Sequence, residues 1–80
     1  MIKKIDQISE QAFLLDFGTN INIELNQLVN AFAKQIIKKM EKKNNLGIKN
    51  CVPSYNKILV QFDPLSNKKR EIINFLQALN

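Results

Sequence analysis

The sequence predicts an α+β domain with the element order ββαββα, in which two helices cover one face of a mostly antiparallel sheet of about four strands. Three observations support this fold class. Residues 47–64, GIKNCVPSYNKILVQFDP, have the pattern of two strands joined by a turn. A long amphipathic helical pattern precedes them, and a shorter one follows. At 80 residues the chain makes one domain with one core.

Two strands are expected before the first helix. Residues 2–8 form a strand with imperfect alternation, and residues 9–11 form the turn after it. Residues 12–17, AFLLDF, alternate more regularly, because the odd-numbered positions are all phenylalanine or leucine and share one face. Gly18 ends this second strand, where the backbone needs a freedom that a Cβ would deny.

The first helix is predicted to run from about Ile23 to about Lys43, with Asn20 or Asn22 as its N-cap. Lysines crowd its last turns, where cations suit the helix dipole, and the segment 44–47 (NNLG) ends it. Its apolar positions follow the i, i+3, i+4, i+7 rule of a helix with one buried face. They are Leu25, Leu28, Val29, Phe32, Ala33, Ile36, Ile37 and Met40.

The hairpin is the clearest element of the sequence. Residues 58–62 (ILVQF) place apolar side chains at alternate positions, the period of a strand with one strongly apolar face. Residues 48–52 form the preceding strand, a short run rich in β-forming residues. Pro53 lacks a ladder donor and belongs at a strand end or in a turn, and Asp63-Pro64 ends the second strand.

A second helix is expected over about residues 67–79, with its apolar positions again on one face. Lys68, Lys69 and Arg70 fall in its first turn, the end of the helix dipole that disfavours cations. Such a placement can indicate an acidic group nearby, although a solvated helix end is the simpler interpretation.

The net charge of +5 raises nucleic acid as a partner. Arg70 is the one arginine among 12 basic residues, and the lysine-rich run 38–43 lacks interleaved aromatic residues. A composition rich in lysine, asparagine and isoleucine is also what an AT-rich coding sequence produces. We therefore take the charge as a minor indication of an acidic partner and keep a small basic nucleic-acid-binding module as an alternative.

The sequence offers no catalytic centre. It contains no histidine, its two glycines cannot build a phosphate-binding loop, and its seven acidic residues are not paired by their spacing. The single cysteine, Cys51, lies in a predicted strand without a histidine to activate it, so we expect a buried core residue. We predict no catalytic, cofactor-binding or metal-binding residue in this domain.

Nothing in the sequence predicts a membrane segment or a secreted protein. No run approaches the roughly 18 apolar residues of a membrane span, and the N-terminus lacks the apolar core of a signal peptide. A single cysteine also excludes an intrachain disulfide. We therefore expect a cytoplasmic protein.

The hairpin turn supplies the candidate partner-binding residues. Tyr55 follows Pro53 in a turn that the hairpin should hold rigidly, where an exposed ring could anchor a partner. Packing of this ring over the sheet edge is an equally good explanation. With the residues that end the second strand, the candidates are Pro53, Ser54, Tyr55, Asp63 and Pro64.

Three segments also suggest a family. They are AFLLDFG (12–18), followed by Ile21 and Asn26 at the start of the helix, GIKNCVPSY (47–55) and KILVQFDP (57–64). In this order and spacing they resemble the N-terminal domain of the KipI/PxpB family, also described as allophanate hydrolase subunit 1 or as carboxyltransferase subdomain C/D. The resemblance covers nearly the whole chain.

The resemblance has two departures. The family usually has Gly-Asp before its Ser/Arg-Ala, where this chain has Ser9-Glu10 before Gln11-Ala12, so the role of that loop does not carry over. Family members also continue into a larger cyclophilin-like domain, whereas this sequence ends at Asn80. We expect residues 1–80 to be one N-terminal-type domain, either a fragment of a longer protein or a stand-alone relative.

The resemblance implies two functions. PxpB-like members are subunits of a bacterial ATP-dependent 5-oxoprolinase, which opens 5-oxoproline to glutamate together with two partner subunits; ATP would be used by that complex and not bound by this domain. KipI-like members bind a sporulation sensor histidine kinase and inhibit its autophosphorylation. Either function makes the domain a protein-binding piece, and a homo-oligomer stays open. Fold analogy alone does not decide between these two functions.

Overall fold

The computed structural model of the chain describes residues 2–19, 22–42 and 46–80. Its elements follow the predicted order ββαββα, which confirms the α+β fold class. A short 3₁₀ helix over Pro64–Ser66, which the sequence pattern did not predict, lies between the last strand and the last helix. The strands are β1 (Lys4–Ser9), β2 (Ala12–Asp16), β3 (Ile48–Pro53) and β4 (Lys57–Phe62), and the helices are α1 (Ile23–Glu41) and α2 (Lys69–Ala78).

The four strands form one sheet in the order β1-β2-β4-β3, and every neighbouring pair is antiparallel. At the centre of the sheet, β2 pairs with β4, with Phe13 opposite Val60 and Leu15 opposite Ile58. Since side chains alternate across a strand, these four residues share one face of the sheet. The two hairpins of the chain are therefore joined by a long-range pairing in the middle of the sheet.

Both helices cover the face that carries these residues. One core cluster joins the alternate positions of β2 and β4 to Val29 and Ile36 of α1 and to Ile72 and Leu76 of α2. Leu14 of β2 points to the opposite face and is only half-buried, so that face stays open. Two ring contacts fasten the core: Phe13 stacks on Phe62 with centroids 4.9 Å apart, and Phe17 meets Phe32 edge-on at 5.2 Å.

The ends of α1 follow from local chemistry. The Asn22 side-chain oxygen accepts a hydrogen bond from the Leu25 N–H at 2.7 Å, which makes Asn22 the N-cap as predicted. The helix ends at Glu41, and the Lys42 N–H still donates to the Lys38 carbonyl. The alternative cap Asn20, the predicted last helical residue Lys43 and the predicted terminating residues 44 and 45 lie outside the described residues.

The other predicted boundaries shift by at most two residues. β1 begins at Lys4 and ends at Ser9, beyond a register shift between Gln7 and Ser9. β3 includes Pro53, and β2 stops one residue earlier than predicted, at Asp16. α2 begins at Lys69 rather than at Asn67, because Asn67 adopts a left-handed backbone with φ 58° that cannot continue a helix. No helix in the described residues is long and apolar enough to cross a membrane.

Gly47 connects the end of α1 to β3 at a crowded position. Its φ is +75°, a left-handed conformation that favours glycine, and its carbonyl accepts a hydrogen bond from the Asp63 N–H at 2.8 Å. A Cβ added there would lie 2.9 Å from both Cβ and Oγ of Ser66. Two independent constraints, backbone conformation and space, therefore require glycine at position 47.

Cys51 is a core residue of β3, as predicted. Its side chain belongs to the core cluster, and its Sγ lies 3.9 Å from the Ala33 carbonyl oxygen of α1. Burial raises the pKa of the Cys51 thiol from 9.0 to about 11, because the ionised form loses its hydration. The thiol is therefore neutral at physiological pH, the form in which a cysteine reacts poorly as a nucleophile.

We expect Gly47→Ala to lower the free energy of unfolding by roughly 1–3 kcal/mol, because alanine is strained at this φ and its methyl group would crowd Ser66. Chemical denaturation followed by circular dichroism measures the change. Ser66→Gly, made alone and together with Gly47→Ala, separates crowding from backbone strain. If Ser66 crowds the new methyl group, Gly47→Ala should cost less stability in the Ser66→Gly protein than in the wild type. A Gly47→Ala protein as stable as the wild type would contradict this interpretation.

We expect burial of the Cys51 thiol to make the free energy of unfolding fall as pH rises from about 9 to about 11. The unfolded thiol ionises near pH 9.0 and the folded thiol near pH 11, so the unfolded state binds fewer protons between these values and the free energy of unfolding falls as pH rises. Comparing wild type with Cys51→Ala between pH 8 and pH 11 isolates the contribution of this thiol, because the two proteins share every other ionisable group. Parallel stability curves for the two proteins would argue against a buried thiol.

Candidate protein-binding surface

The turn between β3 and β4 leaves Tyr55 exposed to solvent. Tyr55 is 62% exposed, so most of its surface stays in solvent. The turn itself is closed by Ser54, whose N–H donates to the Lys57 carbonyl at 2.8 Å and whose hydroxyl reaches the same carbonyl at 3.3 Å. An exposed aromatic ring on a hydrogen-bonded turn is a typical anchor for a protein partner.

The turn is fixed to the body of the domain on both sides. The Asn56 side chain donates to the Gly18 carbonyl at 2.5 Å, and the Asn56 carbonyl accepts from the Phe17 N–H at 2.9 Å. On the other side, the Asn26 amide of α1 donates to the Tyr55 carbonyl at 3.4 Å. Because its neighbours hold the backbone of the turn, binding a partner there would require little further ordering.

The first turn of α1 completes the surface. Ile23 directly follows the N-cap and is 76% exposed, a large apolar side chain left in solvent. Asn22, Ile23, Asn26 and Tyr55 line a shallow cleft of about 260 Å³. We call these four residues, together with the exposed Pro53 and Ser54 of the turn, the Tyr55 surface.

Ile23 and Asn26 were not among the sequence candidates. Their place beside the turn depends on a contact between residues 29 positions apart, which local pattern does not reveal. One signal was present: Ile23 is apolar yet lies off the buried stripe of α1 that runs through Leu25, Val29 and Phe32. An apolar residue off the stripe, next to a helix cap, marks a surface that helix packing does not use.

The candidates Asp63 and Pro64 lie elsewhere. They follow the opposite end of β4 from the turn, about 20 Å away for a strand of six residues. The Asp63 carboxylate accepts from the Leu65 N–H at 3.0 Å and caps the 3₁₀ helix, in which Pro64 takes the first position. The five sequence candidates therefore do not form one surface, and a role for Asp63 and Pro64 in binding stays a prediction.

The lysines at the end of α1 border a second groove. Lys38, Lys39 and Lys42 line it together with Phe75 and Leu79 of α2, in a volume of about 220 Å³. The Lys39 ammonium lies 5.6 Å from the centroid of the Phe75 ring, a cation–π contact within the domain. Part of the basic run is thus accounted for by packing between the helices.

The Tyr55 surface carries neutral polar and apolar groups. No group of three or more His, Cys, Asp or Glu side chains that could hold a metal ion occurs among the described residues. The six residues of the Tyr55 surface present two amides, one hydroxyl, a phenol and apolar carbon. This arrangement is suited to recognition, since it provides apolar anchors and neutral hydrogen-bonding groups but no strong base.

Comparisons with known proteins agree with this fold. A conserved uncharacterized protein of Pyrococcus horikoshii, PH0987, superposes with a TM-score of 0.80 at 32% sequence identity over 95% of this chain. The chain spans about a third of that protein, 33% of its length. The N-terminal domain of the histidine kinase inhibitor KipI from Bacillus subtilis matches with a TM-score of 0.62 at 24% identity, over 95% of this chain and 85% of that domain.

No curated protein matches the chain significantly. The sequence profile of a protein family does match, however, and it covers residues 3–80, nearly the whole chain. The family resemblance inferred from the three sequence segments is therefore confirmed, and the chain belongs to the family described as carboxyltransferase domain, subdomain C and D.

Proposed function

We propose that this chain is the protein-binding domain of a PxpB-like subunit of a bacterial ATP-dependent 5-oxoprolinase. In this role it assembles with the other subunits through the Tyr55 surface and contributes to hydrolysis of 5-oxoproline only within the complex. The observation that carries the proposal is the exposed pair Ile23 and Tyr55, held in place by the hydrogen bonds of the turn and of the α1 N-cap.

The physics of interfaces favours such a surface. Large side chains on a backbone that is already held by hydrogen bonds gain apolar burial on binding, while the backbone loses little further conformational freedom. The amides of Asn22 and Asn26 border the apolar pair and supply the polar rim that protein interfaces usually have. Membership of a family named for a carboxyltransferase domain supports a place in a multi-part enzyme.

Inhibition of a sensor histidine kinase is the second candidate. It rests on the family resemblance to KipI-like inhibitors, and it would use the same surface for a different partner. Binding a kinase requires no catalytic group in this domain, so the Tyr55 surface fits this function as well. Identification of the partner separates the two candidates: one requires 5-oxoprolinase subunits and the other a histidine kinase.

Replacement of Tyr55 tests the surface under either candidate. We expect Tyr55→Ala to fold normally, because the ring is exposed, and to bind the partner subunits at least about tenfold more weakly, because a central aromatic anchor is lost. Isothermal titration calorimetry against the purified partner subunits measures the affinity. ATP-dependent glutamate release by the reconstituted complex should fall in parallel at limiting subunit concentration.

Leu65→Ala is the matched control. Leu65 is 90% exposed and follows the opposite end of β4, beside Asp63 and Pro64, so its loss should leave binding unchanged when the Tyr55 surface alone forms the interface. Weaker binding by Leu65→Ala would instead support the candidates Asp63 and Pro64. Equal affinities of wild type and Tyr55→Ala for the subunits would show that the interface lies elsewhere. Binding of an oligonucleotide that weakens steeply with salt would instead favour the basic nucleic-acid-binding module.

A further inference from the structure

The two edges of the sheet differ in their capacity to accept another strand. The strand order leaves β1 and β3 as edge strands, each with one row of backbone groups directed away from the sheet. Such a row can pair with a further strand unless its donors are missing or already bonded. The alternation of the ladders shows which residues supply each outer row.

Two successive outward positions of β3 offer no free N–H donor to a further strand. The Ser54 N–H donates to Lys57 of β4, so Val52 and Ser54 direct their N–H groups inward, and Cys51 and Pro53 direct theirs outward. Pro53 has no N–H, and the Cys51 N–H is already bonded to the Asn50 side chain at 3.0 Å. A further strand would find no donor at either position.

The outer row of β1 is open. The Phe17 N–H donates to the Asn56 carbonyl. The backbone N–H and C=O groups of odd-numbered β2 residues therefore point toward β4, and those of even-numbered residues point toward β1. Lys4 and Asp6 pair inward with Asp16 and Leu14, so the backbone groups of Ile5 and Gln7 point outward.

Beside this edge runs a groove that can take the side chains of an added strand. It has a volume of about 350 Å³ and lies between β1 and α2, with Ile5, Phe13 and Ile73 among its lining residues. Ile5 faces the helix side of the sheet and is only half-buried. The edge therefore combines outward backbone groups with a groove lined by both apolar and polar side chains, the two parts of a strand-addition site.

We propose that two copies of this chain associate by antiparallel pairing of their β1 strands, with Ile5 opposite Ile5 of the second copy. This register pairs the outward backbone groups of Ile5 in the two copies and sets Gln7 opposite Lys3, whose N–H is bonded inward to the Asp16 carbonyl at 2.7 Å. It also places each Lys4 opposite Asp6 of the other copy. Two symmetric Lys–Asp contacts result, and the two four-stranded sheets become one continuous sheet.

Charge selects this register over its neighbours. Centring the pair on Asp6 would set two carboxylates opposite each other, and centring it on Gln7 would place the register shift of β1 in the interface. Lys4 and Asp6 form an exposed ion pair at 3.4 Å within one strand, so both are available on the same face to exchange partners across the two-fold axis.

Charge swaps test the pairing by sedimentation equilibrium of the 80-residue chain at low salt. The wild type should dimerise reversibly. Lys4→Asp sets like charges at both contacts, as does Asp6→Lys, and each should weaken association by at least about tenfold. An equimolar mixture of the two variants should associate again, because a Lys4→Asp chain and an Asp6→Lys chain restore both opposite-charge contacts.

Lys49→Asp is the control, since it makes the same charge change on the other edge strand, β3, and should leave association unchanged. Circular dichroism checks that every variant folds. We expect a dimer with a dissociation constant in about the micromolar range, which would be almost fully formed at about 1 mM. A wild-type protein that stays monomeric up to about 1 mM therefore overturns the proposal. A dimer that resists both swaps, or a mixture of variants that stays monomeric, also overturns it.

Discussion

Phe13 and Leu15 of β2 lie opposite Val60 and Ile58 of β4, and this pairing holds the two halves of the chain together. Both strands bury their alternate side chains in the same core, so the register of the pair decides which residues meet the helices. A shift of one residue would place Leu14 and Leu59 against α1 and α2 and expose the present core. The position of the β3–β4 turn, and therefore of Tyr55, depends on the same register.

The consequences of this pairing reach both edges of the sheet. With β2 and β4 at the centre, β1 and β3 become edge strands on opposite sides. The Tyr55 surface lies at the turn beside β3, whereas the proposed self-association uses β1. The two surfaces do not overlap, so a dimer formed through β1 would present two Tyr55 surfaces to partners. Pairing of subunits in this way would add avidity to weak individual contacts.

Periodicity predicted the parts of the fold that bury one face. The alternation of residues 58–62 and the helical stripe of α1 identified β4 and α1 closely, because burial imposes a period on the sequence. The 3₁₀ helix over Pro64–Ser66 was missed, since a capped turn of three residues has no period. The start of α2 was placed too early because the left-handed backbone of Asn67 is not visible in composition.

The candidate site was predictable only in part. Turn chemistry identified Pro53, Ser54 and Tyr55, since proline beside small polar residues interrupts a strand pattern locally. Ile23 and Asn26 reach the same surface through tertiary contact, which no local pattern contains. The sequence also grouped Asp63 and Pro64 with the turn, although a whole strand separates them. Proximity in the chain was a poor guide here because β4 is fully extended.

The central claim is that this domain works by binding other proteins. Affinity purification from native cell extract, with the 80-residue chain as bait and mass spectrometry of the retained proteins, tests it most directly. We expect 5-oxoprolinase subunits to be retained by the wild-type bait. Retention of a histidine kinase instead would assign the domain to kinase regulation. If no protein is enriched over an unrelated bait of equal charge, binding of proteins is not what this domain does.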